Sequence, residues 1–403
     1  MLTIFLLSLS IQTLIVNKIA KQAIYSSFGI AFLRSLGSFF YTDVFKYNDI
    51  SENYFKYIQS CTDTTLFDFH KIGIILNCSK FITDVKGINL IYGCLGCLSI
   101  SMLINLGDSI YKNKFNYLAN SIEQHSNNNF LNNYNLIKIS QILILIDPIG
   151  ISYTGVIGKD IFLFSTIVSL IYLLFYPSFL VFIFFISVTL TCLQSRPYVA
   201  IFLSGASLLA LYFPNLKFTN FGKKIFLNLP KKIIPKIKIQ TIILYIILIP
   251  LILFSIITIF NKFYIIDFSS REILNFLNFW ARDMEGGAGT LTFAYNTPFP
   301  IKYLYFWILP LPIIQSGLGS LFFGISTINY LYLLFNIWQK GLIINNYKIK
   351  FLISTIIVFS ILFSYIAFNS GITSRYKFTS CIPPLYILFI YSNLNNVKYK
   401  NAK

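Results

Sequence analysis

The chain has 403 residues, a mean hydropathy of +0.69 and a net charge of +18, yet only 11% of its residues are charged against 56% hydrophobic. Soluble domains carry about 25% charged residues, so the composition excludes a soluble enzyme, a disordered chain and a nucleic-acid-binding protein. The positive charge reads instead as a membrane-orientation signal, and the expected fold is an all-α, polytopic integral membrane protein forming one multi-pass domain over 1–403.

A helical span needs about 20 mostly apolar residues. The chain is apolar from its first residues and lacks the basic n-region of a cleavable signal, so 1–17 is read as the first span and 23–41 as the second. The segment 42–87 follows as a long loop carrying Asp43, Asp49, Glu52, Asp63, Asp68, Asp84 and His70. Acids just beyond a span suit a general base; the competing reading is a solvated loop balancing Lys46, Lys56 and Lys71.

Further spans are expected at 88–106, 137–156, 161–176, 178–194, 198–214, 241–260, 318–338, 351–369 and 379–394, eleven in all. Pro177 favours a tight pair over one kinked helix across 161–193. Asp147 falls inside a span, and an intramembrane acid is expected to be functional. Gly158-Lys159-Asp160 and Ser195-Arg196-Pro197 form the two turns around that pair and stand on one face. Pro197 at a helix start would hold Arg196 at the helix N-terminus, a natural anion site. The stretch 301–316 is apolar but holds Pro310 and Pro312, so it is read as re-entrant or interfacial.

The six cysteines, Cys61, Cys78, Cys94, Cys97, Cys192 and Cys381, give no metal-ligand pattern. Cys94 and Cys97 lie in an apolar run and read as packing. No metal and no cofactor are expected.

Orientation follows from the lysine-rich segment 215–240, seven lysines with no acid, which belongs in the cytoplasm. Alternation then puts eighteen basic and two acidic residues inside, against fourteen basic and twelve acidic outside. All five arginines, Arg34, Arg196, Arg271, Arg282 and Arg375, fall on the outer side. Arginine suits bidentate recognition of phosphate and carboxylate, so the outer face looks built to hold an anion. Loop 262–300 offers Arg271 and Arg282 beside Glu272, Asp283 and a Gly-rich run, Gly286-Gly287-Ala288-Gly289. Ser370–Lys377, with Arg375 and Lys377, is expected as a tight outer turn before Pro383 and Pro384.

Taken together, Arg34…Asp43…Asp49…Tyr54, Gly158-Lys159-Asp160, Ser195-Arg196-Pro197, Arg282…Gly289-Thr290…Pro310-Leu311-Pro312 and Ser374-Arg375-Tyr376-Lys377 form an arrangement that resembles the bacterial oligosaccharide repeat-unit polymerases of O-antigen and capsule synthesis, and more loosely the GT-C membrane glycosyltransferases. The resemblance covers most of the chain as an arrangement, and each motif alone has low specificity. It implies an enzyme of the bacterial cytoplasmic membrane, active face outward, that joins polyprenyl-diphosphate-linked glycan units during surface polysaccharide synthesis. Diphosphate would be held among Lys159, Arg196, Arg271, Arg282, Arg375 and Lys377. The base would come from Asp160, Asp43 or Asp49, in that order. Its partners would be the lipid-linked glycan and membrane lipid, with no nucleic acid; a chain-length regulator stays open. Two alternatives stand beside it: a GT-C transferase using a lipid-phosphate sugar, and a flippase or transporter of lipid-linked glycan. The absence of an internal repeat and the gathering of charge at one face favour catalysis over alternating access.

Overall fold

A computed structural model describes residues 85–119, 127–150, 160–196, 198–218, 224–226, 297–308, 318–366 and 370–400. Most of them are helical, and three short strands stand beside the helices. The helices are α1 (Val85–Ala119), α2 (Asn127–Leu145), α3 (Asp160–Phe175), α4 (Phe179–Ser195), α5 (Tyr198–Tyr212), α6 (Phe299–Ile308), α7 (Leu318–Lys340), α8 (Tyr347–Ile366), α9 (Ser370–Tyr376) and α10 (Ile382–Lys400); a π-helical turn over Lys377–Cys381 joins the last two. The strands are β1 (Leu216–Phe218), β2 (Lys224–Phe226) and β3 (Leu342–Ile344). The chain forms two compact units, with α2 divided between them.

In the first unit α3 packs on α4 and on α1. Tyr176-Pro177-Ser178 breaks the apolar run as expected, because proline disfavours helix at the residue before it. Ser178 takes an extended φ of −144° and its carbonyl accepts the first α4 bond from Phe182 at 3.0 Å. Ser99 on α1 and Ser165 on α3 share a hydrogen bond of 2.7 Å. Asp108 lies within α1, where it is buried and accepts a bond from Gln141 at 2.7 Å. Helix α1 runs 35 residues, well past the expected span 88–106. Between Gly107 and Ala119 the sequence has no proline, and asparagine and lysine alone do not stop a helix.

The expected span 137–156 is interrupted. Helix α2 ends at Leu145, and Asp147 Oδ1 accepts the Gly150 amide at 2.9 Å. Asp147 is thus the N-cap of a new turn whose first residue is Pro148, a favoured arrangement. The buried carboxylate that looked functional has a structural role. Asp147→Ala should cost about 1 kcal/mol, the usual worth of such a cap, while Asp147→Ser should recover most of it; unfolding midpoints of the two variants check this.

In the second unit α8 packs on α5, α6 and α10, and α7 packs on α10. Helix α7 ends at Gly341, whose φ of 78° and amide bond to the Ile337 carbonyl at 2.9 Å make a left-handed helix stop. β1 lies centrally, antiparallel to β2 and β3, with Leu216 opposite both Phe226 and Ile344. The ladder joins two short strands of the lysine-rich segment to the stretch that follows α7. Lys350 Nζ donates to the Phe213 carbonyl beyond the end of α5 at 2.5 Å, where a cation is favoured.

Lys340, just past the expected span 318–338, donates to Asn393 Oδ1. Burial pushes its ammonium from 10.5 down to about 8. Below that value the lysine is charged both folded and unfolded, and the burial penalty is fully present. Between about pH 8 and 10.5 the folded protein releases the proton first, so the unfolded state binds more protons and stability rises with pH. Lys340→Met should flatten that rise, as read from denaturation midpoints across the interval.

Among the described residues one helix, over Tyr347–Tyr365, is long and apolar enough to cross a membrane; shorter apolar helices cover Tyr134–Leu145, Asp160–Phe175, Phe179–Leu193 and Tyr198–Tyr212. Within the 301–316 stretch, α6 runs ten residues to Ile308 and 309–317 lie outside the described residues.

Candidate functional site

Two clusters of buried charge stand out, one in each unit. In the first, Asp160 opens α3 and Arg196 caps the C-terminus of α4. The antiparallel pair made by the Pro177 turn brings these two ends together. Arg196 Nη2 donates to Asp160 Oδ1, with 1% and 4% of the side chains exposed. Both ends suit their charges: a carboxylate is stabilised at a helix N-terminus and a cation at a C-terminus. Cys192, one turn before Arg196, is a buried thiol outside any disulfide, and its carbonyl accepts the Arg196 amide at 2.7 Å. The expected base and the expected diphosphate ligand are therefore partners of each other.

The second cluster corrects an expectation. Ser370–Lys377 is not a turn: it runs as helix into the π-turn and on into α10. The physical cause is the proline pair. Pro383 and Pro384 donate no amide bond to residues 379 and 380, and their rings crowd those carbonyls. A π-turn widens the helix there, and the Ile382 amide reaches back five residues to Lys377. Hydroxyls serve the disturbed backbone: Thr379 Oγ1 donates to the Arg375 carbonyl at 2.9 Å and Ser380 Oγ to that of Tyr376 at 2.5 Å.

The continuous helix carries Lys377 inward. It is 3% exposed, not at the outer surface. Its ammonium is 3.5 Å from Thr327 Oγ1 and lies over the rings of Tyr330 and Phe306, at 5.8 and 6.0 Å from their centroids. Thr327 stands 13 residues from the Lys340 end of α7, about 20 Å along the helix. A cavity of about 10 Å³, room for one water-sized group, is lined by Ser326, Thr327, Tyr330, Ser374, Lys377 and apolar neighbours. Arg375 is half-buried beside it in sequence, 5.7 Å from the Tyr376 ring. That ring stacks on Phe363 at 3.9 Å, nearly parallel.

Of the other expected site residues, Asp43, Asp49, Lys159, Arg271 and Arg282 lie outside the described residues. Thr327, Tyr330 and Ser326 were not singled out from the sequence. Their signal is Ser326-Thr327…Tyr330 on one helical face of an otherwise apolar run, facing Ser374…Lys377 at the same spacing. Among the described residues no group of three His, Cys, Asp or Glu side chains could hold a metal. No family model, curated protein or solved structure matches the chain.

Proposed function

We propose that the chain is a multi-pass enzyme of the bacterial cytoplasmic membrane that joins polyprenyl-diphosphate-linked oligosaccharide units on the outer leaflet. The multi-pass reading rests on composition, on the five apolar helices named above, and on large apolar side chains left exposed along them, among them Phe179, Leu190, Leu208 and Ile361.

The single observation that carries the functional reading is the buried ammonium of Lys377 in a cavity lined with hydroxyls. Charge inside a membrane segment is expensive and marks a working site by default. In the proposed reaction the acceptor sugar hydroxyl attacks the anomeric carbon of the donor. The bond from that carbon to diphosphate oxygen breaks, and the hydroxyl proton passes to a carboxylate, Asp160, Asp43 or Asp49. Negative charge grows on the leaving diphosphate, and fixed cations lower the barrier there; one such donor is worth about 2.7–4 kcal/mol. Lys159, Arg196, Arg271, Arg282, Arg375 and Lys377 are the cations proposed for that task.

The test is reconstitution. The purified chain in proteoliposomes, given lipid-linked repeat units, should yield products of two or more units on electrophoresis. Lys377→Met, compared at equal folded amount, should lower the rate by about 100-fold or more. Products no longer than one unit from wild-type protein would refute the polymerase reading.

A further inference from the structure

The Lys377 cavity has a donor too many. Tyr330 is 1% exposed, and its Oη makes no hydrogen bond. A buried hydroxyl left in that state costs about 1–3 kcal/mol. The ring is not free to turn away, since it stacks on Trp307 at a centroid distance of 4.9 Å and carries the Lys377 ammonium over its face. Among the described residues the lining is chemically one-sided: three aliphatic hydroxyls, one phenol and one ammonium, and no carboxylate or amide side chain. Every one of these groups can donate, and the ammonium can only donate. The field and the donor inventory both select a negatively charged acceptor and reject a cation. Size narrows the choice further, because the space takes one water-sized group and not a whole phosphate.

We infer that the cavity between α7 and the π-turn is an anion site that seats a single acceptor atom, a halide ion or one terminal oxygen of a phosphate group, with Tyr330 Oη and Lys377 Nζ as its principal donors. The π-turn that the proline pair imposes turns Lys377 toward Thr327 and Tyr330. Two sources share this chemistry, a free ion and the phosphate of a lipid headgroup. The lipid source deepens the reading given above and rests on it; the free-ion source does not need it.

The experiment uses the full chain in nanodiscs of neutral phosphatidylcholine. One arm measures chloride NMR linewidth, with inorganic phosphate as competitor. The other measures binding of labelled polyprenyl diphosphate doped into the same discs. Each is repeated with Tyr330→Phe, which removes one oxygen and keeps the ring stacked, and with Lys377→Met. Affinity in the positive arm should fall about tenfold or more in Tyr330→Phe, as for a hydrogen bond to a charged group. Saturable chloride broadening that phosphate displaces identifies a free-ion site; binding in the polyprenyl diphosphate arm alone identifies the headgroup. Binding that is missing from both arms, or unchanged in Tyr330→Phe, would show that the cavity merely holds water and would overturn the inference. Because no glycan is present, this failure is separate from that of the polymerase reading.

Discussion

Arg196→Ala should destabilise the protein by about 3–5 kcal/mol, the cost of removing one partner from a buried ion pair. The size follows from burial. Asp160 is 3% exposed, and its carboxylate would be left inside the fold without the Arg196 guanidinium. Asp160→Ala should cost a similar amount for the mirror reason. The double variant Asp160→Leu/Arg196→Met should fall far closer to wild type, since replacing both charges by apolar groups of similar volume is often neutral or better. Unfolding curves of the three variants in mixed micelles check this; a loss in the double variant equal to the sum of the two single losses would show that the charges act independently. The double variant also separates architecture from chemistry. It keeps the α3–α4 pair folded but removes the expected base and one expected diphosphate ligand. If the pair takes part in glycan transfer, the double variant should be abundant and inactive.

Phe363→Ala should cost about 3–5 kcal/mol, the range for truncating a buried phenylalanine. Phe363 is 0% exposed and lies among three aromatic rings. It stacks on Tyr376 at 3.9 Å and on Phe359 at 5.8 Å, and meets Tyr198 edge-on at 6.5 Å. Packing of this kind is what holds helices together where lipid weakens the hydrophobic drive. Truncation leaves a void against Tyr376, the residue before the π-turn. The effect should therefore spread to Lys377, lowering anion affinity as well as stability, whereas Phe363→Leu should do less of both. A stability loss with unchanged anion binding would show that the Phe363–Tyr376 stack does not position the lysine.

These two variants mark the line between what the sequence makes legible and what it hides. Helices α3, α4, α5 and α8 were readable because long apolar runs end at Pro177, Pro197 and polar segments, signals that act locally. Their spacing also made the Asp160–Arg196 meeting readable, because a three-residue break between two helices of similar length leaves little choice but to bring the far ends together. The three-stranded ladder was not readable: strands of three residues in a lysine-rich stretch have no usable period. Nor was the fate of Ser370–Lys377. Glycine and serine beside arginine and lysine look like a surface turn, and only the hydroxyl bonds of Thr379 and Ser380 to the backbone show why a helix survives there. The partners of Lys377 lie about fifty residues earlier on α7, and helix-to-helix register is fixed by packing, which no single stretch of sequence carries. Asp147 shows a further limit, since a rule that marks intramembrane acids says nothing of the Gly150 amide that this carboxylate caps.

The glycan profile of a strain lacking this chain, from both lipid-linked and surface fractions, tests the central claim most directly. The account predicts that a single lipid-linked repeat unit persists where a ladder of lengths stood, and that the ladder returns with the wild-type chain. An unchanged ladder in the deletion strain would contradict it, and loss of even the single unit would move the protein to an earlier step than polymerisation.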